Sequence, residues 1–283
     1  MAIAHRGLSA YAPENTLSAI RAAHEAGHQW VELDVQLLKD GTPVIWHDAS
    51  VNRCSDGRGR LRNLDLAAAR ALDVGSWFSA RFAGERMATL EEALALIASL
   101  GMGLNLELKL SPGHDTRALV EKVVPLAVEA LPVGRLILSS FDPQALRMSR
   151  ERDGKVLIGL LYDAIPDDWE ALAEDVKAVT VHADWRALTR VAASRVTATQ
   201  RKLLCYTPND AAAFSPRWAW GVSAVISDDP GIFSEQDLAR DIEPAPAAHS
   251  RAPGARRPVE RRAAGRGLRG HTADHTPRSR RAV

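Results

Sequence analysis

The sequence predicts a (β/α)8 barrel, and three observations predict it. Short apolar runs alternate with helical patterns along the chain, which specifies a parallel sheet with helices outside. Eight such runs fall within about 230 residues, the number that closes a barrel. The 283 residues are 46% hydrophobic and 25% charged, an ordinary globular composition with enough apolar material for a large core. An open doubly wound sheet is the alternative, although it normally uses fewer strands.

The first run, 1–5, is short and leaves the barrel floor thinly covered; a helical pattern follows at 14–26. The second run, 30–35, does not lead into a helix. It passes through Gln36-Leu37-Leu38-Lys39, meets Asp40-Gly41 and returns as Thr42-Pro43-Val44-Ile45-Trp46-His47. Asp-Gly between two apolar arms is a hairpin turn, because both central residues can take positive φ. The strand therefore continues beyond the barrel and folds back, which carries His47 toward the mouth. Residues 49–88, rich in Arg, Gly and Asp, form an excursion of loop and short helices. Beside the C-terminal mouth such an insertion is expected to be a substrate-facing wall. Trp77-Phe78 within it either line the pocket or pack the insertion onto the barrel.

Thr89 caps a helix at 90–99, with acids in its first turn, and Gly101 closes it. Strands are then expected at 104–110, 135–140, 155–161, 178–182, 202–207 and 222–227. Helices are expected between them at 117–131, 143–151, 167–174, 187–199 and 210–220, where Pro216 breaks the last. Residues 230–240 supply the final helix.

Beyond residue 240 the composition changes. Residues 241–283 hold ten Arg, no Lys and four acids, a charge of +6, with five of the fifteen prolines and no aromatic residue. Too little apolar surface is present to offset the entropy of ordering, so a barrel of 1–240 and a disordered tail are expected. The net charge of +1 argues against a dedicated nucleic-acid binder. No apolar run approaches the roughly 18–20 residues of a membrane span. Cys54 and Cys205 make neither a metal-ligand spacing nor a disulfide framework, and the N-terminus lacks a secretory layout. The expected setting is reducing and cytoplasmic.

Strand alternation sorts the polar residues. Glu32 and Asp34 share one face of their strand, opposite Val31, Leu33 and Val35. Asn105, Glu107 and Lys109 share a face opposite four leucines. The apolar faces pack on helices, so the polar ones point into the barrel. Three inward carboxylates need a partner, and a divalent cation held by oxygen ligands is the cheapest. The alternative is a buried salt-bridge network, such as Glu107 with Lys109. His5, followed by Arg6-Gly7, ends the first strand, and His47, followed by Asp48, ends the hairpin arm. Two histidines can serve as general acid and general base, and Arg6 offers a fork for a pair of phosphate oxygens. These groups describe metal-assisted phosphoester chemistry. His24, His28, His114 and His182 are expected on helix or loop positions with surface or structural roles, and Cys54 is incidental.

His5-Arg6-Gly7, Ala12-Pro13-Glu14-Asn15-Thr16, Glu32-x-Asp34, Lys39-Asp40-Gly41 and His47-Asp48 resemble the glycerophosphodiester phosphodiesterase signature. The likeness continues through Gly75-Ser76-Trp77-Phe78, Thr89-Leu90-Glu91-Glu92, Glu107-x-Lys109, Ser139-Ser140-Phe141, Tyr206-Thr207-x-Asn209 and Ile226-Ser227-Asp228. It spans roughly residues 2–230 in the family's order and is most similar to the short cytosolic bacterial members. The resemblance implies a barrel of the phospholipase-C-like phosphodiesterase type that hydrolyses glycerophosphodiesters to glycerol 3-phosphate and an alcohol. It implies Glu32, Asp34 and Glu107 as ligands of Mg²⁺ or Ca²⁺, and His5 and His47 as the acid–base pair. Arg6 and Lys109 would contact the phosphate, with Glu14 brought near it. Two other functions stay open: a related barrel that forms a cyclic phosphate, and a catalytically silent phosphodiester-binding module.

Overall fold

Among the described residues, 1–233 of this computed structural model, strands and helices alternate from the start. The first half of the chain contains β1 (Ala2–His5), α1 (Leu17–Glu25), β2 (Trp30–Leu37), β3 (Pro43–Ile45), α2 (Leu66–Ala71), α3 (Leu90–Ser99), β4 (Gly103–Leu108) and α4 (Thr116–Ala130). The second contains β5 (Leu136–Ser140), α5 (Pro143–Arg152), β6 (Leu157–Tyr162), α6 (Trp169–Asp175), β7 (Thr180–Asp184), α7 (Arg190–Thr197), β8 (Lys202–Tyr206), α8 (Ala211–Phe214) and β9 (Val222–Ser227).

Apart from β3, every strand pairs in parallel with its neighbours, and β1 pairs with both β2 and β9, so the sheet closes into the expected eight-stranded barrel. The main core lies between strands and helices, where outward residues such as Val31, Leu33, Leu104 and Leu106 are fully buried. β1 has only four residues, yet the interior is not thin there. Ile3 meets Leu204, Ala224 and Ile226 in a separate buried cluster.

β3 is antiparallel to the end of β2, with Val35 opposite Ile45 and Leu37 opposite Pro43, which is the expected hairpin. Its turn differs in detail. Only Gly41 has positive φ (+81°), and the Asp40 carboxylate instead accepts the Thr42 and Leu66 amides. The excursion after β3 packs Leu61, Val74 and Met87 against Leu38, Val44 and Trp46 of the hairpin in a separate small core. Trp77, Phe78 and Phe82 stack edge-to-face within it.

Local signals explain the helix boundaries. The capping box at Thr89–Glu92 opens α3 as expected, and Gly101 follows with φ +64°. The first helix starts three residues later than expected because Asn15 has φ +58°, outside the helical range, and Thr16 then accepts the Ala19 amide. The helix expected over 210–220 survives as α8 alone, after which Pro216 enforces a 3-10 helix over Ser215–Trp220. At 230, only a 3-10 turn, Pro230–Ile232, is described. The rest of the expected final helix, and the 241–283 tail, lie outside the described residues. No helix among the described residues is long and apolar enough to cross a membrane.

Candidate active site

The strand ends bring three carboxylates together. β2 and β4 pair so that Asp34 stands opposite Glu107 and Glu32 opposite Asn105. One oxygen from each of Glu32, Asp34 and Glu107 lies within 4.8 Å of the others. All three side chains are buried. Burial, then repulsion from Asp34 and Glu107, pushes the Glu32 carboxyl well above its ordinary range, and burial, then the charge of Asp34 and a hydrogen bond with it, does the same to Glu107. Asp34 is held low against its own burial by a hydrogen bond from Glu107, by Arg6 and by Asn15, whose amide lies 3.0 Å away. The cations nearby do not balance the acids: Lys109 stands 3.7 Å from Glu107 and Arg6 3.6 Å from Asp34. An all-oxygen, anionic, converging set of this kind fits a hard divalent cation better than a salt-bridge network.

Each histidine at the mouth is held by an aspartate. His5 Nδ1 is 2.6 Å from Asp228, and His47 Nδ1 is 2.7 Å from Asp48. A carboxylate at Nδ1 accepts the proton there and leaves the Nε2 lone pair outward. His5 Nε2 comes within 3.7 Å of Glu32, while His47 Nε2 accepts from Lys109 Nζ at 3.2 Å. Burial lowers the His47 pKa, helped by the positive charges of Arg6 and Lys109 and opposed by Asp34 and Asp48. Asp228 is pulled down to about 2 despite its burial, by hydrogen bonds from His5, Asn209 and Ser9.

The backbone sets these side chains in place. Arg6 and Gly7 both have positive φ (+57° and +79°), so the chain turns sharply after β1 and sends the Arg6 amide to Glu32 at 3.2 Å. A Cβ on Gly7 would lie 2.5 Å from the Ala19 Cβ, so only glycine lets α1 pack this closely. On the hairpin side, the fully buried Gln36 amide donates to the carbonyls of Trp46, His47 and Asp48.

His5, Arg6, Glu32, His47, Glu107 and Lys109 all border one cavity of about 310 Å³ at the C-terminal ends of the strands. Asp34, within 4.8 Å of Glu32 and Glu107, does not line it. Glu14, expected near the phosphate, does not border the cavity, because its carboxylate is taken by Arg6 and Arg53. The opposite wall comes from Phe141, Leu161, Asp184, Arg186 and Tyr206 rather than from the excursion. Trp77 and Phe78 therefore pack within the insertion.

Against this geometry, the sequence profile of the Glycerophosphoryl diester phosphodiesterase family matches residues 5–232. The chain belongs to that family. A glycerophosphodiester phosphodiesterase of Caldanaerobacter subterraneus is 34% identical over 235 residues, covering 81% of this chain and 94% of the relative. One from Bacillus subtilis is 28% identical, covering 82% and 85%. The structure of an Oleispira antarctica phosphodiesterase in complex with the product sn-glycerol-3-phosphate superposes with a TM-score of 0.78 at 34% identity. That match covers 86% of this chain and 96% of the other.

Several residues of this glycerophosphoryl diester phosphodiesterase site escape a reading of residues alone. Asp228 and Asn209 lie in quoted motifs, but nothing in the chain order puts Asp228 against His5. Gln36 is signalled only as a polar residue on an otherwise buried strand. His182 is the clear correction. It stands on β7, not on a helix or loop, is fully buried, and borders the cavity with Nε2 bonded to Thr180 at 2.8 Å. Burial lowers its pKa to about 4.

Proposed function

We propose that this barrel hydrolyses glycerophosphodiesters to sn-glycerol 3-phosphate and an alcohol, with a divalent cation, Mg²⁺ or Ca²⁺, at Glu32, Asp34 and Glu107. The observation that carries the reading is the pair of imidazoles, each anchored at Nδ1 by a carboxylate and each bordering the cavity that Glu32 and Glu107 of the acidic triad also line. The cation would supply positive charge to the phosphate centre. The remaining steps belong to the chain's own groups. Arg6 and Lys109 bind and orient the phosphate oxygens. One imidazole takes a proton from the attacking water at Nε2, and the other gives a proton to the departing alcohol oxygen. Asp228 and Asp48 steady each ring while it carries the proton. Glu14 acts one step back, by holding Arg6. The product bound in the Oleispira relative supports glycerol 3-phosphate as the product here.

Residues 1–240 carry this activity and 241–283 take no part in it. We read the setting as cytoplasmic, supported by two buried free thiols, Cys54 and Cys205. The test is release of glycerol 3-phosphate from glycerophosphocholine. Release should stop in excess chelator and return with Mg²⁺ or Ca²⁺, and ³¹P NMR should show a linear phosphate. Full turnover in chelator would remove the metal from the reaction, and a cyclic phosphate product would make the barrel a cyclising enzyme.

A further inference from the structure

Arg53 belongs to the excursion and does not border the cavity, yet its guanidinium reaches two carboxylates behind it. Nη1 and Nη2 donate to the two oxygens of Glu14 at 2.9 and 2.7 Å. Nε and Nη2 donate to the two oxygens of Asp48 at 2.9 and 3.0 Å. Both contacts are bidentate, which a planar fork can do and an ammonium cannot. Each carboxylate in turn holds one group of the site. Glu14 Oε1 accepts from Arg6 Nη1 at 3.0 Å, and Asp48 Oδ1 accepts from His47 Nδ1 at 2.7 Å. The result is one unbroken chain, Arg6–Glu14–Arg53–Asp48–His47.

The two ends of that chain come from different elements, the turn after β1 and the arm after β3. Without Arg53, Glu14 and Asp48 would be two partly buried carboxylates that each keep one of three side-chain hydrogen bonds, free to rotate away from Arg6 and His47. We propose that Arg53 is a positioning residue that fixes the Arg6 guanidinium and the His47 imidazole relative to one another through Glu14 and Asp48. The excursion thus shapes the reaction through one side chain rather than as a wall. The proposal rests on the hydrolytic reading above for its kinetic consequences.

The test compares wild type with Arg53→Met and Arg53→Lys in the full chain, with glycerophosphocholine and Mg²⁺. Arg53→Met should lower kcat about 10²-fold, as expected for a displaced proton carrier, and raise KM through Arg6. Millimolar guanidinium should restore part of that loss. In a His47→Ala background the kcat effect of Arg53→Met should vanish while the KM effect stays. Unchanged kcat and KM, or an equal kcat loss with and without His47, would overturn the proposal. If Arg53→Met fails to fold, Arg53→Lys decides: it keeps the charge but not the fork, so wild-type kcat and KM in that variant would overturn it. A second readout needs no substrate. ¹⁵N NMR of the His47 ring should show a single Nδ1–H tautomer in wild type and a mixture in the Arg53 variants. An unaltered tautomer would sink the proposal even if glycerophosphocholine is not the substrate, whereas an inactive wild type with the tautomer change would sink only the hydrolytic reading.

Discussion

Both imidazoles at the mouth are halves of a pair whose other half is an aspartate, and this makes them separable by experiment. His5→Ala and His47→Ala should each lower kcat by on the order of 10²–10⁴ while the protein stays folded. A nitrophenyl diester, whose leaving group needs no proton, should rescue the variant that lost the acid but not the one that lost the base. Rescue of both or of neither would end the acid–base assignment. The placement of His5, His47, Arg6 and the triad together was legible in the sequence because each lies at or just beyond the end of a strand, or alternates with leucine or valine along one. Their aspartate partners were not, since a hydrogen bond between strand ends leaves no periodic trace. His182 was assigned a helix or loop position although the run expected at 178–182 contains it, because a lone polar residue closing an apolar run gives no sign that it turns inward. Its burial makes a pH prediction. The native state takes up this proton only near pH 4, whereas the unfolded chain does so near the ordinary value of about 6.5. Its contribution is therefore intact above about pH 6.5 and is lost as the pH falls toward 4, by up to about 3 kcal/mol. His182→Asn should flatten the fall in melting temperature over that window. An identical pH profile in the variant would show that His182 is not the group responsible.

At the level of elements, the turn between β1 and α1 is a tight joint beside the site. Gly7→Ala adds a Cβ that would lie 2.5 Å from the Ala19 Cβ and 2.7 Å from its carbonyl carbon, on a residue with φ +79°. Overpacking and left-handed strain together should cost about 3 kcal/mol. Activity should fall with stability, because Arg6 is the neighbouring residue. A variant with wild-type melting temperature and turnover would show that α1 can simply step aside. The helices and the hairpin were legible from periodicity, caps and Asp-Gly. What was not legible was the start of α1, because Asn15 spends its side chain on Asp34 and its backbone on a positive φ. The excursion was recognisable as an excursion, but its role was not. Only the fold shows that its apolar residues face one another while Arg53 points back.

For the whole molecule, alternation and the number of strands were enough to specify the ring, but not which contacts its closure would make. β9 completes the barrel, so removing residues 244–283 should leave kcat, KM for a soluble glycerophosphodiester and melting temperature unchanged. A marked drop in any of the three would make the segment part of the enzyme. Closure has a further consequence. His5 and Asp228 are 223 positions apart, and they meet across the seam where the last strand joins the first. The triad, by contrast, spans only β2 and β4, neighbours on one side of the ring. A chain emerging from the ribosome would thus gather its acidic residues early and lack the Asp228 partner of His5 until β9 arrived. Contacts of such long range form late in folding. On the proposed mechanism turnover is therefore a clock for the seam: in a refolding experiment, its recovery should time the moment β1 and β9 find each other.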